Sequence, residues 1–169
     1  EQPGLYWIDL SSEDYGVSIL NDCKHGFDIK DGVMRVTLLR SPFEPDPAPD
    51  VGISEVTVSI YPHAGDWKQA GTLRRALELN RPLVGVVSKA HAGELPKSRS
   101  FVSCDLENIV VTALKRTEDG DSFTLRFYET HGNAGRATFQ TELPVRRIVE
   151  TDLMENPIGQ PVTVTDGSF

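Results

Sequence analysis

The sequence has few cysteines, no long apolar runs and no clusters of basic residues. Its two cysteines, Cys23 and Cys104, are too few for the disulfide framework of a small secreted domain, so free thiols in a reducing, cytoplasmic compartment are favoured over a pair. No stretch approaches the roughly 20 apolar residues of a membrane-spanning helix. The net charge is −8. Without a lysine- or arginine-rich stripe, this charge argues against nucleic acid or an anionic membrane as a partner.

Much of the chain alternates apolar and polar residues with a period of two, the pattern of half-buried β-strands. Residues 108–115 are more continuously apolar, which is typical of a strand covered on both faces. Turn-forming pairs such as Asp31-Gly32 separate the runs. Many short strands predict an all-β fold, an antiparallel β-sandwich, and 169 residues suit one domain. The alternating sets are Tyr15/Val17/Ile19, Val56/Val58/Ile60, Phe123/Leu125/Phe127 and Val162/Val164.

One segment has the periodicity of an α-helix instead, which we predict over roughly residues 66–79. Asp66 with Gln69 three residues later has the pattern of a capping box, in which both side chains accept bonds from exposed backbone N–H groups. Gly71 weakens such a helix by about 1 kcal/mol relative to alanine, so packing must stabilise it. The residues on its apolar face are Trp67, Ala70, Leu73 and Leu77.

A cluster of polar residues follows the first alternating run, at residues 21–25. The Asp31-Gly32 turn then predicts a return of the chain through residues 33–39. The run that ends at Ile19 and this returning strand are therefore expected to form one β-hairpin. This hairpin would present the polar side chains at the edge of a packed sheet.

The order of the motifs resembles the C-terminal β-domain of family 38 glycoside hydrolases, the zinc-dependent α-mannosidases. The likeness covers some 150 residues and is strongest to the bacterial and cytosolic branch. No single motif is diagnostic, but the whole series occurs in order. The segments that carry it are 7–11, 15–17, 20–26, 38–42, 60–67, 78–83, 106–115, 126–129 and 150–153.

This resemblance implies one C-terminal β-sandwich domain, residues 1–169, of the supersandwich type found in galactose-mutarotase-like proteins, with one short helix. Because the chain starts at Glu1 rather than at methionine, we expect it to be excised from a larger enzyme whose catalytic barrel is absent. That enzyme would hydrolyse terminal α-mannosides with retention. Its nucleophile and zinc ligands would lie in the barrel, so no catalytic residue, metal site or cofactor is expected in this chain, which is predicted to be inactive alone.

The resemblance also implies that the domain packs against its own catalytic barrel and lends a few side chains to the rim of the mannoside pocket. Asparagine and aspartate suit bidentate hydrogen bonds to neighbouring hydroxyls, and a guanidinium offers a planar fork of donors. The alternative, weighed slightly ahead, is that these residues only build turns, which use the same residue types. The rim candidates are Asn21, Asp22, Lys24, His25 and Arg40.

Two other chemistries receive little support from the residues. His63 and Asp66 would be half of a metal site, but zinc takes three or four ligands and no further histidine or cysteine lies near them in sequence. We expect His63 at the entrance of the helix. Cys23 stands beside Lys24, which favours a lowered thiol pKa, yet no base is positioned to make it a nucleophile.

Two further functions remain open. An independent carbohydrate-binding module needs exposed aromatic rings on one face, whereas Phe123, Phe127 and Trp67 occupy positions expected for core residues. An assembly domain would form a homo-oligomer through an edge strand, which carries unpaired backbone groups.

Overall fold

Antiparallel strands form every regular element of the chain except one short helix. A computed structural model describes all 169 residues, and they divide into two compact units, Glu1–Ser88 and Lys89–Phe169. The predicted all-β, antiparallel sandwich class with a single helix is confirmed. The prediction that residues 1–169 form one domain stays a prediction. The helix is neither long enough nor apolar enough to cross a membrane.

The first unit holds two three-stranded sheets and the helix. Its elements are β1 (Gln2–Pro3), β2 (Trp7–Ser11), β3 (Tyr15–Asn21), β4 (Gly26–Lys30), β5 (Val33–Val36), β6 (Val58–Ala64) and α1 (Thr72–Asn80). In one sheet the strand order is β2-β3-β6, and in the other it is β1-β4-β5.

The predicted hairpin is correct in its turn but wrong in one of its strands. Asp31 and Gly32 both have positive φ, 53° and 74°, the conformation that two-residue hairpin turns require. This turn joins β4 to β5. The alternating run in β3 pairs instead with β2 and β6, so the polar residues 22–25 connect two different sheets.

The helix begins at Thr72, six residues later than predicted. The reciprocal side-chain bonds expected of Asp66 and Gln69 do form: the carboxylate accepts the Gln69 N–H at 2.9 Å, and the Gln69 amide oxygen accepts the Asp66 N–H at 3.3 Å. They stabilise a turn and not a helix, because Gly71 lies in the left-handed region, with φ 62° and ψ 34°. A residue in that conformation interrupts a right-handed helix.

The second unit consists of three two-stranded antiparallel sheets, β8-β9, β10-β7 and β11-β12. Phe139 is its most buried apolar side chain, and its ring lies 4.5 Å from that of Phe127 and 5.5 Å from that of Phe169. The strands are β7 (Val102–Cys104), β8 (Ile109–Arg116), β9 (Phe123–Glu129), β10 (Phe139–Thr141), β11 (Ile148–Thr151) and β12 (Pro157–Val162).

The strand predicted over residues 108–115 is present as β8, but it is not covered on both faces. The pairing register shifts between Val111 and Ala113, so a bulge changes the side to which successive residues point. The continuous apolar run therefore does not mark a strand that is buried on both sides, and both Val111 and Leu114 are exposed.

Candidate functional site

Asn21 supports the polar loop from inside the molecule. It ends β3, and its side chain is fully buried. Its Oδ1 accepts the Lys24 N–H at 2.6 Å, and its backbone carbonyl accepts a bond of 3.0 Å from the Asn80 side chain at the end of α1. The side-chain nitrogen of Asn21, Nδ2, is buried without a hydrogen-bond partner. These contacts make Asn21 the residue that shapes the loop over residues 22–25 and ties it to the helix.

Asp22 and Cys23 interact with each other at the exposed part of this loop. The Asp22 carboxylate accepts a bond from the Thr57 N–H, at 3.1 Å to Oδ1, and the adjacent Cys23 thiol lies 3.9 Å from the Glu55 carbonyl oxygen. The neighbouring Cys23 thiol and the bond from Thr57 lower the pKa of Asp22. The same carboxylate raises the pKa of the Cys23 thiol and outweighs Lys24, which acts in the opposite direction. The predicted lowering of the Cys23 pKa is therefore wrong, and the thiol is a weak nucleophile at neutral pH.

The other rim candidates lie toward one end of the β4-β5 hairpin. Lys24 is half-buried, and His25 is exposed, with its Nδ1 3.3 Å from the Gly4 carbonyl oxygen. The Thr37 N–H bonds the Gly26 carbonyl at 2.9 Å, so the chain leaves β5 beside the point where the polar loop enters β4. Arg40 follows three residues later, is exposed and forms no ion pair. Their contact with substrate stays a prediction.

A second group of polar side chains, which sequence reasoning missed, is buried between the β2-β3-β6 sheet and the helix. His63 Nε2 donates to Asp9 Oδ2 at 2.8 Å, and these two side chains are 3% and 4% exposed. The Ser18 hydroxyl donates to the same carboxylate oxygen at 2.7 Å, and its oxygen is 2.8 Å from the Thr72 hydroxyl. We call Asp9, Ser18, His63 and Thr72 the buried polar cluster.

The buried polar cluster corrects the placement of His63. It was expected at the entrance of the helix near Asp66, but it lies in β6 and bonds across the sheet to β2. The sequence signal was the polar residue at every second position of the strands: Asp9 lies between two apolar residues, as does Ser18. Such residues face the side opposite to the apolar set, and this sheet buries that side against α1.

Electrostatics favour the ionised form of Asp9. Burial by itself would raise its pKa, but hydrogen bonds from Ser11, Ser18 and His63 outweigh burial and hold the pKa below its usual value. The Ser11 hydroxyl donates to Oδ1 at 2.5 Å, so both carboxylate oxygens are satisfied. A buried carboxylate with this many donors is stable as an anion.

The buried polar cluster does not have the geometry of a nucleophilic triad. Ser18 Oγ and Asp9 Oδ2 both approach the same imidazole nitrogen, Nε2, at 3.2 Å and 2.8 Å. In a triad the acid and the nucleophile use opposite nitrogens of the ring. Ser18 is also inaccessible to solvent. The cluster therefore joins three strands to the helix and does not present a reactive group.

The aromatic residues divide between core and surface. Trp7 and Trp67 are half-buried, with ring centroids 5.2 Å apart, so they contact each other without being part of the fully buried core. Phe123, however, is 67% exposed and Phe127 46% exposed. Their assignment to the core is wrong, because a sheet of only two strands leaves much of its face uncovered.

Comparison with known proteins identifies the family. The model of the glycosyl hydrolases family 38 C-terminal domain matches residues 1–48, and that of the family 38 C-terminal beta sandwich domain matches residues 108–169. Alpha-mannosidase G of Dictyostelium discoideum is 35% identical over 159 residues, which are 92% of this chain and 15% of that protein. Alpha-mannosidase 2C1 of Homo sapiens is 34% identical over 154 residues, covering 89% of this chain and 15% of the relative.

This chain belongs to the C-terminal region of the family 38 glycoside hydrolases. The resemblance drawn from the ordered motifs is thereby confirmed. The family 38 chain spans about 15% of the length of the relatives named above. A crystal structure of a protein in glycosyl hydrolase family 38 from Enterococcus faecalis has the same fold, with a TM-score of 0.75 and 18% identity, over 99% of this chain and 21% of that one.

Proposed function

We propose that this chain is the C-terminal part of a retaining α-mannosidase that hydrolyses terminal α-mannosides. One observation carries the proposal: alpha-mannosidases from two organisms align with nine-tenths of the chain at 34–35% identity. In this proposal the chain packs against the catalytic domain of the same enzyme and helps to form the substrate pocket.

We further propose that the chain is inactive alone. A retaining glycosidase uses two carboxyl groups about 5–5.5 Å apart, and the buried polar cluster contains one carboxylate, shielded from solvent. Zinc does not fit the residues of this chain either, because no three His, Cys, Asp or Glu side chains lie together in a way that could hold a metal. We therefore assign both the carboxylate pair and the zinc to the catalytic domain.

Parallel assays of the full-length enzyme and of the chain alone test whether hydrolysis requires the catalytic domain. The full-length enzyme should hydrolyse p-nitrophenyl α-mannoside, and the purified chain of residues 1–169 should not. Proton NMR of the first sugar released should show the α-anomer, since retention preserves the configuration. Hydrolysis by the chain alone, or a β-anomer as the first product, would contradict the proposal.

Substitutions in the full-length enzyme test the rim role of the polar loop. Arg40→Ala should raise KM by roughly 10- to 150-fold, which corresponds to the loss of a charged hydrogen bond of about 1.5–3 kcal/mol. Arg35→Ala is the matched control. It removes the same group from the neighbouring strand β5, where Arg35 pairs with Asp28 at 2.8 Å, and should leave KM unchanged. Equal KM values for Arg40→Ala and wild type would exclude a substrate contact from Arg40.

A cytoplasmic location is part of the proposal, supported by the free thiols. Cys23 and Cys104 form no disulfide, as is usual for proteins in reducing compartments. Fractionation of cells that produce the enzyme should recover it with cytoplasmic markers. Recovery with secreted proteins would contradict this part.

A carbohydrate-binding module is the second candidate, because Phe123 and Phe127 are exposed four residues apart on one strand. Residues at such spacing share a sheet face, and exposed rings stack on sugars. Calorimetric titration of the chain with mannose should show binding that is lost in a Phe123→Ala, Phe127→Ala double variant. The absence of binding at millimolar mannose would remove this candidate.

A further inference from the structure

The two faces of the β2-β3-β6 sheet differ sharply in chemistry. Directly paired residues of antiparallel strands share a face, and the register aligns Ile8 with Ile19 and Ile60 across all three strands. Alternation along each strand then assigns the remaining positions. We call this side the outer face, and its strand residues are Ile8, Leu10, Tyr15, Val17, Ile19, Asn21, Val58, Ile60, Pro62 and Ala64.

The opposite, inner face is already covered. It carries Ser18 and His63 of the buried polar cluster, and α1 packs against it through Thr72 and Ala76, both of which are completely buried. The polar groups of this face are hydrogen-bonded to each other and to the helix. No further partner is needed on the inner side.

Within the first unit the outer face is uncovered, and it is apolar except for Asn21, which is fully buried at the end of β3. No charged residue occupies any of its strand positions. Ile60 is 71% exposed, Tyr15 57%, Val58 46% and Leu10 39%. Scattered apolar residues on a surface are ordinary, but a contiguous apolar sheet face of this kind marks an interaction site.

We infer that the outer face is the docking surface for another part of the same polypeptide, an uncharged apolar surface of the longer enzyme. This inference rests on the proposed function. The fold occupies 21% of the solved family 38 chain and the sequence 15% of the relatives, so proteins that contain this fold carry much more chain that can cover such a face. A second copy is a poorer occupant, because each copy carries a net charge of −8 and like charges oppose association.

Thiol labelling of the full-length enzyme tests this assignment. Ile60→Cys places a thiol on the outer face, and Lys30→Cys, at the exposed end of β4, is the matched control in the same unit. Peptide mass spectrometry follows maleimide labelling of each site against the wild type. In the native enzyme position 60 should react about 100-fold more slowly than position 30, because a docked thiol reacts only when the contact opens locally. The two rates should become equal in concentrated urea.

The outcomes separate the docking surface from the proposed function. Equal labelling at positions 60 and 30 in an active mannosidase would overturn the inference and leave the proposed function standing. Slow labelling of position 60 in an enzyme without mannosidase activity would support the docking surface and contradict the proposed function. Protection that disappears on dilution would identify a second copy as the occupant and also overturn it. If Ile60→Cys fails to fold, carbene footprinting of the wild-type enzyme gives the same comparison. Val58–Ala64 should be labelled less than the β4-β5 hairpin, and equal labelling of the two would overturn the inference.

Discussion

Replacing His63 with alanine should destabilise the first unit by about 3–5 kcal/mol. The imidazole and the Asp9 carboxylate are 3% and 4% exposed and 2.8 Å apart. Removing the imidazole leaves the buried Asp9 carboxylate without one of its hydrogen-bond donors, and an uncompensated buried charge costs this amount in measured cases. The serine donors remain, but they cannot replace the imidazole in the space that it fills.

Tryptophan fluorescence can measure this loss in the first unit alone. The chain has two tryptophans, Trp7 and Trp67. Both lie in the first unit, and their rings contact each other. Their emission during urea unfolding therefore reports this unit, and the midpoint and slope give its free energy of unfolding. Asp28→Asn is the control. It breaks the exposed pair with Arg35 and should cost roughly 0.2–1 kcal/mol.

The contribution of Asp9 should also depend on pH in a defined direction. Its folded pKa lies below the ordinary 3.8, so the unfolded chain takes up the proton more readily than the folded one. The contribution of ionised Asp9 to the free energy of unfolding is complete above the ordinary pKa and is lost as the pH falls through the lowered pKa. The difference in stability between wild type and Asp9→Asn should therefore be largest near neutral pH and should shrink below about pH 4.

Two results would refute this reasoning. A His63→Ala variant within about 1 kcal/mol of the wild type would mean that the pair contributes no more than a surface pair. A difference between wild type and Asp9→Asn that stays constant from neutral to acidic pH would mean that the pKa of Asp9 is not shifted by folding.

Three further predictions concern other elements. Gly71→Ala should destabilise the first unit by about 1–2 kcal/mol, because φ is 62° there and alanine is strained in that region, although no atom lies within 4 Å of the added Cβ. Asp22→Asn should speed alkylation of Cys23 at neutral pH by roughly 2- to 10-fold, measured by mass spectrometry, because Asp22 raises that thiol pKa. The Lys115 ammonium lowers the pKa of Glu155 from 4.5 to about 2. The stability that the ionised Glu155 carboxylate contributes is therefore lost as the pH falls from its ordinary pKa to the lowered one. Glu155→Gln should remove this loss in unfolding followed by circular dichroism.

Each of these predictions has a control in the same chain. Gly93→Ala should be neutral, because Gly93 has neither a positive φ nor a close neighbour. Cys104 should keep its alkylation rate when Asp22 is replaced. Glu150→Gln, which removes a carboxylate that forms no ion pair, is the control for Glu155→Gln. Equal effects in variant and control would contradict the corresponding argument.

The candidate site was predictable where it depends on local chemistry. The polar residues 21–25 were expected at the edge of a packed sheet, and Asp22 and His25 are exposed. The full burial of Asn21 was not predictable, because it depends on Asn80, which is 59 residues away along the chain and donates to its carbonyl. The buried polar cluster was missed for the same reason. Its four members come from three strands and a helix, and no local pattern brings them together.

Neighbouring residues were enough to predict the alternation of the strands, the Asp31-Gly32 turn and membership in family 38, because backbone preferences and ordered motifs are local properties of the chain. The pairing of the strands, the start of the helix and the covered side of the β2-β3-β6 sheet could be read only from the folded chain. Strand pairing and burial depend on contacts between distant residues. An alternating strand offers two faces, and only the helix that packs on the polar one shows that the apolar face is left for a partner.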